Sequence, residues 1–123
     1  MPFLRLDISQ SLAHLPLVES FLGPAHEAVA RLFEVPIEKM KGIVRVSEGS
    51  RVGDGTAVHA HAWATMLCFP GRPVEKRAAA SREISALLAR ALAGVAEPIS
   101  TAVFVIETPA ETTTLGYAGA AKG

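Results

Sequence analysis

The residue with the most distinctive chemistry stands beside the start of the chain. The sequence opens Met1-Pro2-Phe3-Leu4-Arg5-Leu6-Asp7-Ile8, and removal of the methionine would turn Pro2 into a terminal secondary amine. An α-amino group ionises near pKa ~7.7–8.0, closer to neutrality than any lysine, and an apolar pocket or a neighbouring cation lowers it further. An amine held in place can accept a proton and return it. The opposing reading is that Pro2 is an idle feature of a surface terminus, and retention of Met1 would abolish the chemistry by keeping the nitrogen in a peptide bond.

Other reactive residue types are present without a motif around them. His59 and His61 lie two apart and share a face if both are on a strand, a spacing seen in metal sites. No cysteine or acidic cluster beside them offers a third ligand, so no metal is expected and they read as loop or interface histidines, with His61 able to line a pocket. Trp63 follows on the same parity and reads as packing. A single cysteine, Cys68, makes no internal disulfide and reads as a small buried hydrophobe. Neither Cys68 nor Ser81 has a nucleophile motif around it. Tyr117, an aromatic ring among small residues in the tail, is a candidate to close over a neighbour's site.

The elements that must position these groups follow from periodicity. Leu4, Leu6 and Ile8 alternate with Phe3, Arg5 and Asp7, the period of two of a half-buried strand, so Pro2 sits at the head of a rigid element. Residues 15–35 carry Val18, Phe21, Leu22, Ala25, Val29, Leu32 and Phe33 at helical spacing, with Gly23-Pro24 expected to kink the helix and Pro36 to stop it. A second strand is predicted over 40–46 and a glycine-rich loop over 48–55. A third strand spans 60–69, and the clearest amphipathic helix spans 74–95 through Ala80, Ile84, Leu87, Leu88, Ala91, Leu92 and Val95, with Pro98 ending the helical region. The branched run over 101–107 predicts a fourth strand buried on both faces. The tail, residues 112–119, is turn-like, with a short strand or disorder as its expected end.

The order strand, helix, strand, strand, helix, strand divides the chain into two βαβ units, 1–58 and 59–123, of one domain. Together they predict an α+β two-layer sandwich, a four-stranded sheet with both helices on one face. Its other face would be uncovered, and an apolar uncovered face calls for a closed symmetric oligomer. At 123 residues, half of them hydrophobic, with 12 basic and 12 acidic side chains, the chain has the size of one domain and no charge excess to recommend nucleic acid or an anionic membrane as partner. It carries no leader-like opening and no run of the roughly 20 apolar residues that span a bilayer, and reads as cytoplasmic.

Pro2, the strand opening at residue 3 and the paired βαβ units together resemble the tautomerase superfamily, and within it the 5-carboxymethyl-2-hydroxymuconate isomerases. The most specific stretch is Phe69-Pro70-Gly71-Arg72-Pro73-Val74-Glu75-Lys76-Arg77, which resembles that family's strand end, Gly-Arg step and charged helix start. The resemblance implies a cofactor-independent isomerase, often trimeric, in which the proline amine moves a proton on a small unsaturated 2-keto acid. It implies that Arg72 binds the substrate carboxylate. Where the family tends to place an arginine, five residues after the proline that ends the first helix, this chain has Lys41, which keeps the charge and loses the planar fork. Arg45, on the same parity, is the alternative. The matching place in the second unit holds Val103, so one pocket per subunit is expected. Relatives with this proline also dehalogenate, hydrate or decarboxylate. A non-enzymatic, oligomeric ferredoxin-like ligand-binding module would show the same element order.

Overall fold

A computed structural model describes residues 1–120. The first strand, β1 (Phe3–Ile8), has the expected alternation, with Leu4, Leu6 and Ile8 buried and Phe3, Arg5 and Asp7 partly exposed. The predicted kink takes a definite form. Val18–Leu22 makes one π-helical turn in which the Gly23 N–H donates to the Val18 carbonyl, and α1 (Gly23–Phe33) follows. Pro24 lacks an N–H and would crowd the carbonyl of the preceding turn, so the turn widens there and Pro24 sits where no donor is needed.

Pro36 does not end α1. The helix stops at Glu34, which adopts a left-handed conformation (φ 55°), while the Val35 N–H donates back to the Ala30 carbonyl at 3.0 Å. Glycine is the usual residue at such a stop. Lys76 holds the exposed Glu34 carboxylate at 3.0 Å. A short 3-10 turn, Ile37–Lys39, then feeds β2 (Lys41–Val46).

After the glycine-rich loop come β3 (Ala60–Cys68), α2 (Val74–Ala91) and β4 (Ile99–Glu107). His59 precedes β3 and is exposed, whereas His61, on the strand, is buried. The second helix ends before the predicted Val95 and well before Pro98. Leu92 caps it, Gly94 follows, and a turn closed by Val95 N–H to Leu92 O at 3.0 Å carries Val95 back to the core.

The strand order is β2-β1-β3-β4, with β1/β2 and β3/β4 parallel and the central β1/β3 pair antiparallel. Each half is thus a βαβ unit. Leu4, Leu6 and Ile8 of β1 and Ala60, Ala62, Ala64 and Met66 of β3 pack beneath Ala25, Val29, Ile84 and Leu88 of the helices, forming one core between sheet and helix layer. The alanines of β3 let the helices approach the sheet centre closely. On β2, Gly42 does the same for α1, since a Cβ there would lie 2.6 Å from the His26 ring nitrogen Nε2.

The opposite face of the sheet is open. Reading the register across the strands, Lys41, Phe3, Leu67 and Ile106 form one row, and Ile43, Arg5, Thr65 and Phe104 the next. Phe104 is 54% exposed and Ile106 46%. The expectation that β4 is buried on both faces is therefore corrected: β4 is an edge strand, and its large apolar residues on the open side, Phe104 and Ile106, stay about half exposed. Among the described residues no helix is long and apolar enough to cross a membrane. The tail holds a 3-10 turn, Ala110–Thr112, and then runs extended without regular structure.

Candidate active site

The antiparallel pairing of β1 with β3 brings the heads of β1 and β2 to the same end of the sheet as the tails of β3 and β4. Pro2 lies there, its side chain fully buried. Its carbonyl accepts the Lys41 N–H at 3.1 Å, which extends the β1/β2 ladder to the residue before β1 and fixes Pro2 against β2. The amine of the unprocessed chain belongs to Met1 and donates to the Lys39 carbonyl at 3.2 Å. The Met1 thioether meets the Thr108 hydroxyl, just beyond β4, at 3.8 Å.

A cleft of about 260 Å³ opens at this end, lined by Met1, Lys39, Lys41, Leu115, Gly116 and Tyr117. Burial pulls the terminal amine below its ordinary pKa, and the positive charges of Lys41, Lys39 and Arg72 push it in the same direction. Each disfavours a further cation. The environment thus favours a neutral amine, the form that accepts a proton.

Of the residues expected at the site, Lys41 lies in the cleft, half-buried at the head of β2 and opposite Phe3. Arg72 sits at the same end, in the turn after β3, and its charge reaches the amine. Its guanidinium, however, is not in the cleft wall. It lies 4.3 Å above the Phe33 ring, with Nη1 donating to the Phe69 carbonyl at 3.4 Å. That cation–π contact places it between the helix layer and the end of β3. Arg45 does not stand in for Lys41. It is opposite Asp7, whose carboxylate it meets at 3.4 Å. Four residues along a strand place it about 13 Å from Lys41.

His59, His61 and Cys68 do not line the cleft. His61 is 1% exposed, its Nε2 is 3.2 Å from the Ser47 hydroxyl, and its ring centroid is 4.2 Å from that of Trp63. Burial lowers its pKa, and Asp7 opposes the shift more weakly. Trp63 donates from Nε1 to the Ser100 hydroxyl of the neighbouring β4 at 3.2 Å. Among the described residues no three His, Cys, Asp or Glu side chains converge as a metal site would require. Cys68 is buried at the end of β3, where burial raises its thiol pKa. Tyr117 lines the cleft of its own chain.

Sequence reasoning passed over Lys39 and the tail residues Leu115 and Gly116. The signal for Lys39 was local, a second lysine two residues before Lys41 in Glu38-Lys39-Met40-Lys41. The tail carried none, because its contact with residues 1–41 is made by the fold alone.

No family model and no curated protein matches the sequence. The fold matches solved structures over nearly the whole chain. A 5-carboxymethyl-2-hydroxymuconate delta-isomerase superposes with a TM-score of 0.79 at 15% identity, over 96% of this chain and 89% of that one. The protein Pt0534, in a structure inactivated by 2-oxo-3-pentynoate, gives 0.77 at 14% identity over 93% and 92%. A fused 4-OT symmetric trimer gives 0.73 at 20% identity over 93% and 91%. At these identities the likeness establishes a shared fold, the tautomerase-like α+β sandwich.

Proposed function

We propose that this chain is a cofactor-independent isomerase of the tautomerase type, which moves a proton on a small unsaturated 2-keto or 2-hydroxydienoic acid. The observation that carries the reading is the electrostatic setting of the terminus: an amine at the head of a central strand, partly desolvated, beside a cleft and ringed by Lys41, Lys39 and Arg72. We take that setting to pass to the secondary amine of Pro2, one residue along, when Met1 is removed. The neutral amine takes a proton from the enol hydroxyl or an acidic carbon, and the resulting ammonium returns it elsewhere on the conjugated system, so one group serves as base and then as acid. Negative charge builds on the keto oxygen as the first proton leaves. Lys41, in the cleft, and Arg72, acting through its field, stabilise that charge.

The fold neighbours named above include an isomerase, and Pt0534 is inactivated by a 2-oxo acid, which supports the same substrate class here. We extend the proposal to assembly. The apolar open face and the trimeric state of the fused 4-OT neighbour support a homotrimer.

The test is conversion of 2-hydroxymuconate to its conjugated ketone, followed by absorbance, for wild type and Pro2→Ala, each with its N-terminal mass verified. Loss of a positioned acid–base group lowers the rate by about 10² to 10⁴. An inert wild type of processed mass, or a Pro2→Ala variant as fast as wild type, refutes the mechanism. The rival, a non-catalytic ligand-binding module, draws on one observation: while Met1 is attached, the Pro2 nitrogen is an amide and no base. An intact methionine in the mature mass decides for the rival.

A further inference from the structure

The end of the sheet away from Pro2 holds a titratable side chain that the proposed reaction does not use. His61, the second residue of β3, faces the side opposite the helices, since Ala60 and Ala62 on either side of it face the core. It is nevertheless 1% exposed. Its Nε2 is 3.2 Å from the hydroxyl of Ser47, the residue after β2, and its ring packs against Trp63 with centroids 4.2 Å apart. The His61 backbone N–H donates to the Ser9 hydroxyl, just past β1, at 3.1 Å. This one residue therefore joins the start of β3 to the ends of β1 and β2. Among the described residues its Nδ1 is buried and has no hydrogen-bond partner.

A neutral imidazole suits that setting, with its hydrogen on Nε2 donated to Ser47 and a bare lone pair on Nδ1. A second proton makes Nδ1 a buried donor without an acceptor and places a charge out of water, and both are costly. Little nearby compensates. Asp7 of β1 favours the proton, but its carboxylate already meets Arg5 at 3.0 Å and Arg45 of β2 at 3.4 Å. Across β4 the register partner is Ser100, uncharged and bonded to the Trp63 indole. Glu48 and His59, at the two ends of the glycine-rich loop, are exposed.

We propose that His61 is an acid-operated latch: its neutral ring, seated against Trp63 and Ser47, fastens the far end of the sheet, and protonation expels the ring and frees the loop between β2 and β3. The latch does not depend on the isomerase reading. Burial holds the folded ring below the ordinary imidazole pKa of about 6.5. The stability it contributes is thus complete above that value and is lost as pH falls toward the lowered one.

Trp63 is the only tryptophan of the chain, so its emission reads the latch directly. The experiment follows that emission from pH 8 to 4 in the full-length protein, beside NMR of the His61 ring, assigned through its contact with the indole, and circular dichroism. On acidification the emission shifts to the red as the indole loses its cover. Its midpoint lies below about 6.5, coincides with protonation of the His61 ring, and precedes any loss of helix and strand. Asp7→Asn removes the one charge that favours the proton and moves both midpoints lower. His61→Phe keeps an aromatic ring on Trp63 with no proton to take, and its emission stays constant through the same window. The latch is wrong if wild-type emission changes only when the chain unfolds, if the ring titrates at or above the ordinary value, or if His61→Phe retains the transition. Should His61→Phe not fold, the two wild-type midpoints still decide: emission and ring protonation that titrate apart overturn the proposal.

Discussion

A terminal amine works as a base near neutral pH only if most of it is unprotonated there, and at this terminus burial and three cations all act to that end. Burial and the neighbouring cations lower the Met1 amine; acting on the Pro2 amine of the processed chain, they should make kcat/KM rise with pH along a single limb centred below that of a free N-terminal proline and then level. The sign fixes a mutational test. Lys41→Gln removes the second-largest cause of the lowering, so the limb moves to higher pH, and activity at low pH falls further than activity on the plateau. The profile of the variant, measured from pH 5 to 9, checks this; a limb at the wild-type position would mean that Lys41 does not face the amine in the mature protein. At this scale the sequence pointed to Pro2 by its place after Met1 and to Lys41 by its offset from Pro36, and the fold brings both to one end of the sheet. It was blind to how Arg72 is held. A guanidinium beside Gly71 reads as a free carboxylate ligand until the Phe33 ring, on a different element, is seen beneath it.

Elements were legible wherever their signal was local. The alternation in β1 and the Gly23-Pro24 interruption are both written in a few adjacent residues, and both are observed. The helix ends were not, because Glu34 and Leu92 terminate helices through tertiary contacts and capping geometry, and the prolines farther on merely suit the strands that follow. The head of β2 is set by a contact of the same non-local kind. Gly42 lies under His26, and the ring nitrogen would be 2.6 Å from an added Cβ. An imidazole cannot flex away as a lysine would, so Gly42→Ala must push α1 off the sheet or displace the strand. Overpacking of this sort costs about 1–3 kcal/mol, measurable as a lowered midpoint in chemical denaturation. The displacement falls next to Lys41, so the same variant should lose activity beyond what the unfolded fraction explains. Removing the ring with His26→Ala in the Gly42→Ala background should recover part of both losses, and its failure to do so would locate the strain elsewhere.

At the scale of the whole molecule, the open face and the cleft meet. The outermost row of that face, Lys41, Phe3, Leu67 and Ile106, ends on a residue of the cleft, and the adjoining row ends on Phe104. A second subunit packed on the sheet therefore borders the site. Burial of a phenylalanine side chain is worth about 1.5–3 kcal/mol, repeated in every subunit of a closed ring, so Phe104 should carry a large share of the assembly energy. Phe104→Asp places an unpaired charge in the same position and should leave the chain monomeric by sedimentation, with helix and strand content preserved in circular dichroism because Phe104 lies outside the core between sheet and helices. If a neighbour's surface completes the site in the proposed trimer, turnover of 2-hydroxymuconate should fall with it. A Phe104→Asp protein that still sediments as wild type would show that another surface makes the assembly. A monomer of full activity would show that each chain completes its own cleft through Tyr117 and its tail.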